Sequence, residues 1–139
     1  MPSKHILLIL NNPETSQQLE KNILAPAGFR VTQMTDWETA QTLIRNDPPD
    51  LAIVTDKLEG RDFLETAASL AQSNLLIPFL LLPGTHSEEL TLAALRLGFA
   101  GYIKPSLQAS EMIESIQLAL ERRQRWEDYA RLLANRDTK

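Results

Sequence analysis

Cysteine is missing from all 139 residues, which excludes disulfides, thiolate metal sites and cysteine nucleophiles. Histidine occurs only at His5 and His86, too few for a histidine-rich metal site. Long hydrophobic runs are missing as well. The run from Ile6 to Leu10 is shorter than a signal-peptide core and stops at Asn11-Asn12-Pro13. The run from Leu75 to Leu82 falls far short of the roughly 20 residues a spanning helix requires, and Pro78 interrupts it. A buried core strand is its better reading, and the expectation is a cytoplasmic protein without membrane contact. Positive charge is in short supply. The 14 Lys and Arg against 18 Asp and Glu leave a net charge of −4, so there is no electrostatic footprint for nucleic acid. No internal repeat or low-complexity segment is visible.

What is present is an ordinary globular composition, 43% hydrophobic and 23% charged, in a chain long enough for one domain with a real core. Short apolar runs alternate with longer amphipathic stretches. His5–Leu10 reads as the first strand, and a helical pattern over Glu14–Leu24 stops before Pro26. Phe29–Met34 is the second strand, and Thr35-Asp36-Trp37-Glu38 is a capping box opening the second helix, with Trp37 packed at its start. After the turn Asn46-Asp47-Pro48-Pro49 come a third strand at Asp50–Thr55, a third helix at Asp62–Ala71 and a fourth strand at Ile77–Leu82. Thr85-His86-Ser87-Glu88 is a second capping box, and Gly98 sits where a helix-terminating glycine belongs. Gly101–Ile103 is a short fifth strand, and a final helix begins near Leu107.

Strictly alternating strands and helices, with strands apolar on both faces, predict a parallel sheet covered by helices on each side. The fold class is therefore α/β, a flavodoxin-like doubly wound five-stranded sheet in the order 2-1-3-4-5, with an extended C-terminal helix. In that arrangement the winding reverses between strands 1 and 3, and a crevice opens at their carboxyl ends. Asn11, Asn12, Thr55 and Asp56 fall there by position, with Pro83 and Lys104 at the neighbouring strand ends.

At these positions the sequence resembles the receiver domain of bacterial two-component response regulators, over roughly residues 4–121. The pieces that carry the resemblance are Ile9-Leu10-Asn11-Asn12-Pro13, Ala27-Gly28-Phe29, Pro49-Asp50-Leu51, Ala94-Leu95-Arg96-Leu97-Gly98 and Tyr102-Ile103-Lys104-Pro105. The resemblance implies two acidic residues holding Mg²⁺, an aspartate accepting phosphate, a Thr or Ser sensing it and a lysine pairing with it. The acidic pair aligns with Asn11 and Asn12, the acceptor with Thr55 and the sensor with Pro83. Asp62 falls where the family has the aspartate of its downstream loop, and Lys104 is retained, although the segment from Gly98 to Lys104 looks one residue short.

The departures have chemical consequences. Mg²⁺ is normally held by one or two carboxylates plus phosphate, and asparagine brings the shape without the charge. A labile acyl phosphate needs a carboxylate, which Thr55 lacks, and Pro83 has no hydroxyl to follow a phosphoryl group. The sequence thus predicts a degenerate receiver. A one-residue shift would make Asp56 the acceptor, with Mg²⁺ then required. Side-chain alternation, however, sets Thr55 and Asp56 in opposite directions and leaves Asp56 as a solvated loop residue. Lys104 is expected to bond to Asn11 or Asn12 or to pair with Asp56, and the resemblance implies a cis Lys104-Pro105 bond. Asn11 and Asn12 serve equally well as caps of the first helix. His5 reads as structural and His86 as solvent-exposed.

Leu92 and Leu95 lie off the inward stripe Leu90, Ala93, Ala94 and Leu97 of the fourth helix and offer an apolar edge to a partner. With Tyr102 and Trp126 they make up the expected interaction surface. The last helix runs on past Leu120, with Ala109, Met112, Ile116, Ala119, Arg123, Trp126, Ala130 and Leu133 at alternating spacings of three and four. That is a heptad seam interrupted by Arg123, fitting a parallel coiled coil or a signalling helix. The expected organisation is a receiver-like domain over 1–121 and a helical extension over 122–139. The expected function is a phosphorylation-independent, non-enzymatic signalling module acting by protein contact, with an effector domain, another protein or a second copy as partner. Two alternatives stand beside it: a phospho-accepting receiver using Asp56, and a flavin-binding domain using Thr15 and Ser16 in the loop Asn11–Gln17.

Overall fold

A run such as Ile6-Leu7-Leu8-Ile9 or Leu51-Ala52-Ile53-Val54 offers no polar side to water, so both faces of the strand it forms must be covered. All eight residues are fully buried. The computed structural model describes residues 3–74, 76–106 and 108–137. In chain order the elements are β1 (His5–Ile9), α1 (Pro13–Leu19) running into a π-helical turn (Glu20–Leu24), β2 (Arg30–Met34), α2 (Trp37–Asn46) and β3 (Leu51–Val54). A small hairpin of β4 (Lys57–Leu58) and β5 (Arg61–Asp62) follows, then α3 (Leu64–Ser73), β6 (Phe79–Leu81), α4 (Glu88–Arg96), β7 (Gly101–Tyr102) and α5 (Ala109–Asp137).

The main sheet has the order β2-β1-β3-β6-β7 and is parallel throughout, as the 2-1-3-4-5 expectation requires. Alternate residues of the strands serve opposite layers. Leu7, Ile9, Ala52, Val54 and Phe79 pack with α2, α3 and Ala94 of α4. Ile6, Leu8, Leu51, Ile53 and Leu80 pack with Leu19, Leu24 and the Met112, Ile116 and Ala119 face of α5.

Several local expectations need correction. Asp36, not Thr35, caps α2, accepting from the Glu38 and Thr39 amides at 3.3 and 3.2 Å. Ser87, not Thr85, caps α4, accepting from the Leu90 amide at 3.0 Å. In both cases an equally good capping residue stands directly before the first helical turn. The first helix gives way to the π-turn at Glu20, and α3 starts at Leu64 because Asp62 is taken by the hairpin. Leu76 is exposed, so the fourth apolar run is core only from Ile77; Leu75 and Leu107 lie outside the described residues. The hairpin β4–β5 was not foreseen. Its turn residues Glu59 and Gly60 both have positive φ, 55° and 75°, the geometry of a tight primed turn. Gly98 has φ +93° just beyond the α4 C-cap Leu97, as expected. Among the described residues every peptide bond is trans, including Lys104-Pro105.

At the amino ends of the strands a cluster of polar groups ties three elements together. The backbone N–H of His5 donates to Asp50 Oδ2 at 2.7 Å. Arg123 of α5 donates from Nη1 to Asp50 Oδ1 at 3.0 Å and to the Asp50 carbonyl at 3.1 Å, and from Nε to Glu127 Oε1 at 3.0 Å. Burial opposes the Asp50 charge, but the His5 amide and the Arg123 guanidinium outweigh it and hold the carboxyl below its ordinary range. His5 is buried, its Nε2 against the Thr32 hydroxyl at 2.7 Å, and burial followed by nearby Arg30 lowers its pKa.

These two shifts destabilise the fold in acid, in sequence. The folded state resists protonating His5 while the unfolded chain accepts the proton, so stability declines as pH falls below the ordinary histidine value of 6.5. A second loss follows below the ordinary carboxyl value of 3.8, as Asp50 protonates at its lowered folded pKa. Urea unfolding across this range is expected to show both stages, and His5→Val is expected to remove the first only. Asp50→Ala is expected to cost about 1–3 kcal/mol at neutral pH, since it leaves Arg123 without its partner.

Candidate functional site

The winding of the chain reverses between β1 and β3, and the loops leaving their carboxyl ends face each other. The ladder runs slightly past the strands. The Thr55 amide donates to the Ile9 carbonyl at 3.1 Å, the Leu82 amide to Val54 at 2.8 Å and the Ile103 amide to Leu81 at 2.8 Å. These bonds bring Asn11, Asn12, Thr55, Asp56, Pro83 and Lys104 to one end of the sheet, as the sequence predicts.

Thr55 is 5% exposed, and its hydroxyl donates to Asp56 Oδ1 at 3.3 Å. The same oxygen accepts the Gly84 N–H at 3.1 Å, and the Asp56 carbonyl accepts the Phe63 N–H at 2.8 Å. Asp56 is half-buried. It is therefore neither a solvated loop residue nor aimed away from Thr55. The alternation rule fails here because β3 ends at Val54, and the following residues are free to turn together. One carboxylate joins the loop after β3 to the loop after β6.

The two asparagines have separate tasks. Asn12 Oδ1 accepts from the Glu14 amide at 2.9 Å as the N-cap of α1, while Asn11 Oδ1 accepts from the Glu59 amide at 3.1 Å and anchors the β4–β5 hairpin. Asp62 Oδ1 accepts from the Leu64 amide at 3.0 Å. Pro83 is buried at the start of the loop after β6.

Lys104 departs from expectation. It is exposed and makes neither a hydrogen bond nor an ion pair among the described residues, so it does not bridge strands β1, β3 and β7. The Asp56 oxygen that accepts in this crevice is already engaged by Gly84, and a hydrated ammonium gains nothing from burial without a partner. Lys104 instead borders a shallow groove with Tyr102, Glu111, Glu114 and Leu118. Thr15 and Ser16 lie within α1, with Ser16 buried, so no loop hydroxyls are presented to a phosphate there.

A cleft of about 360 Å³ adjoins the crevice, lined by Asp56, Lys57, Asp62, Thr85, His86 and Ser87. Among the described residues no group of three or more His, Asp or Glu side chains is placed to hold a metal ion. His86 is exposed, as predicted, yet its Nδ1 meets the Tyr102 hydroxyl at 2.8 Å. Sequence reasoning missed this contact, because nothing local links residues 16 apart. Leu92 is 57% exposed, Leu95 64% and Trp126 56%, and Tyr102 is half-buried beside α4.

Comparison with solved structures settles the fold. A response regulator receiver domain from Methanospirillum hungatei superposes with a TM-score of 0.76 at 20% identity, covering 89% of this chain and 98% of that one. The chain has the receiver-domain fold. NtrX from Brucella abortus, in complex with ADP, reaches a TM-score of 0.84 at 21% identity, over 94% of this chain and 30% of its own. In sequence, the C4-dicarboxylate transport transcriptional regulatory protein DctD of Pseudomonas aeruginosa is 25% identical over 116 residues, 84% of this chain. The chain spans a quarter of that relative's length. No family model matches the sequence. The central strand β3 ends at Val54, so Thr55 is the first residue beyond it and Asp56 the second.

The Asp56 bridge predicts a graded response. Asp56→Asn keeps an oxygen acceptor for the Gly84 amide and is expected to leave stability nearly unchanged. Asp56→Ala is expected to cost about 0.5–1.5 kcal/mol and to speed hydrogen exchange at Gly84. Denaturant unfolding and amide exchange measure both.

Proposed function

We propose that this chain is a receiver-fold signalling module of a two-component system that works without phosphorylation and without enzymatic activity, by protein–protein contact. The observation that carries the reading is at the end of β3. The acceptor position holds a buried hydroxyl, Thr55, and the neighbouring Asp56 is already bonded by Thr55 and Gly84. A threonine cannot form the acyl phosphate on which receiver chemistry rests.

The Mg²⁺ that the fold family implies does not fit these residues. The cation takes near-octahedral oxygen ligands, carboxylates foremost. The positions of the acidic pair carry amides, and both amide oxygens accept backbone N–H groups. Asp56 is left as the single carboxylate at the ends of β1 and β3. It is the residue on which a phospho-accepting alternative rests, and that alternative would have to break its bond to Gly84.

Without a switchable crevice, the useful parts of the module are its surfaces. Leu92 and Leu95 on α4, with Tyr102 on β7, form one apolar edge, and Trp126 on α5 forms a second. We assign 1–121 to the receiver-like domain and 122–139 to a helical extension leading to an effector or partner. DctD and NtrX are longer regulators, of which this chain spans 25% and 30%, and that suits a module that passes its state onward. Among the described residues no helix is long and apolar enough to cross a membrane, and we place the module in the cytoplasm.

The test is spectroscopic. The chain is titrated with Mg²⁺ and beryllofluoride while amide shifts are followed at Thr55, Asp56, Gly84 and Lys104. The expected result is no saturable shift, and no mass increase after incubation with acetyl phosphate. Phosphorylation that Asp56→Asn abolishes would overturn the reading in favour of Asp56 as acceptor.

A further inference from the structure

Between α5 and the amino ends of β6 and β7 lies a cavity of about 210 Å³. Ile77 and Phe79 wall it at the start of β6, and Ala119 and Trp126 wall it from α5. Ile77, Phe79 and Ala119 are buried, whereas Trp126 is 56% exposed, so its indole stands at the mouth. Two lining residues are charged, and both are arginines, Arg122 and Arg123. Among the described residues no carboxylate lines the cavity.

The two guanidiniums are incompletely used. Arg122 is exposed and makes neither a hydrogen bond nor an ion pair among the described residues. Its own helix supplies no acid, because the residues one turn away are Leu118, Ala119, Arg125 and Trp126. Arg123 is held by Asp50 and Glu127, but those bonds employ Nε and Nη1. Its Nη2, which carries two N–H donors, has no acceptor among the described residues.

We propose that this cavity binds a small aryl carboxylate, with its ring among Ile77, Phe79 and Trp126 and its carboxylate on Arg122 and Arg123 Nη2. The site goes beyond the proposed function and does not depend on the crevice, which lies at the opposite ends of the strands.

Size, charge and wall chemistry select this class of ligand. An apolar cavity of about 150 Å³ holds a benzene ring, so the additional volume admits a short acid arm. A ring gains from the Phe79 and Trp126 faces beyond the area it buries, and a seated ring covers part of the exposed indole. The guanidinium fork matches a carboxylate in shape as well as charge. Neighbouring backbone amides do not compete for the anion. The Ile77 N–H donates to the Asn74 carbonyl at 2.9 Å and the Ala100 N–H to the Phe79 carbonyl at 2.8 Å. With apolar walls excluding water, a charge-assisted bond at the rim is stronger than the same bond on an open surface.

The probe is 3-phenylpropanoate, titrated into the full 139-residue chain while amide and indole N–H signals are followed. Saturable shifts are expected at Ile77, Phe79, Ala100 and Trp126 but not at Thr55 or Asp56, with a dissociation constant below about 1 mM. Arg122→Gln is expected to weaken binding by about tenfold or more with the melting temperature retained. Trp126→Ala is expected to weaken it several-fold. Arg125→Gln removes the same charge from a residue that does not line the cavity, and it is expected to bind like the parent. The uncharged isostere 3-phenylpropanamide is expected to bind about tenfold more weakly, and octanoate, an acid without a ring, several-fold more weakly. Shifts that grow without saturation would overturn the proposal, as would shifts centred on the crevice. Equal losses in Arg122→Gln and Arg125→Gln, or equal binding of the acid and the amide, would dismiss the arginine site. Octanoate binding as tightly as the probe would dismiss the aryl preference. Each of these failures leaves the proposed function standing, since none concerns phosphorylation.

Discussion

Everything in this molecule depends on burying β1 and β3 on both faces. Two neighbouring parallel strands whose one polar side chain, His5, stands at the edge of β1 must be sandwiched between helical layers, and the same burial pushes the polar side chains to the strand ends. The carboxyl ends become the crevice and the amino ends become the Asp50 cluster. Chemistry in this fold is confined to the rims because the middle has no room for it.

The crevice rim is closed by internal hydrogen bonds. Asn11 holds the β4–β5 hairpin, Asn12 caps α1, and Asp56 spans from Thr55 to Gly84. Each bond uses an acceptor that a metal or phosphate site would have to free first. A receiver that exchanges phosphate keeps its anionic oxygens open to a cation. Here the Asn11, Asn12 and Asp56 oxygens accept from groups of the chain itself, and the proposed phosphorylation-independent function rests on that arrangement.

At the other rim, Arg123 performs a comparable task for α5. Its bonds to the Asp50 carboxylate and carbonyl couple the last helix to the start of β3, with the His5 amide completing the cluster. The ion pair lies where a core-facing stripe turns into a solvent-facing one. It ties the helix to the start of β3 at the point where it leaves the core.

Much of this was legible in the chain of letters. Alternating apolar runs and amphipathic stretches determined the α/β class, the strand order and the crevice location, because burial on two faces demands unbroken hydrophobicity and right-handed crossovers leave few topologies. The residues standing at Asn11, Asn12, Thr55 and Pro83 followed from counting along those strands, Leu92 and Leu95 showed as apolar positions off the inward stripe of α4, and Trp126 as an apolar position on the seam of α5. Only the tertiary structure decided which polar groups meet. That Asp56 turns toward Thr55 and Gly84, that Lys104 has no polar partner among the described residues, that His86 reaches Tyr102 and that Arg123 finds Asp50 are consequences of loops whose geometry is set by contacts 16 to 73 residues apart. Periodicity encodes which face of an element is buried, whereas a hydrogen bond between two loops depends on ångström-scale placement that no local pattern carries.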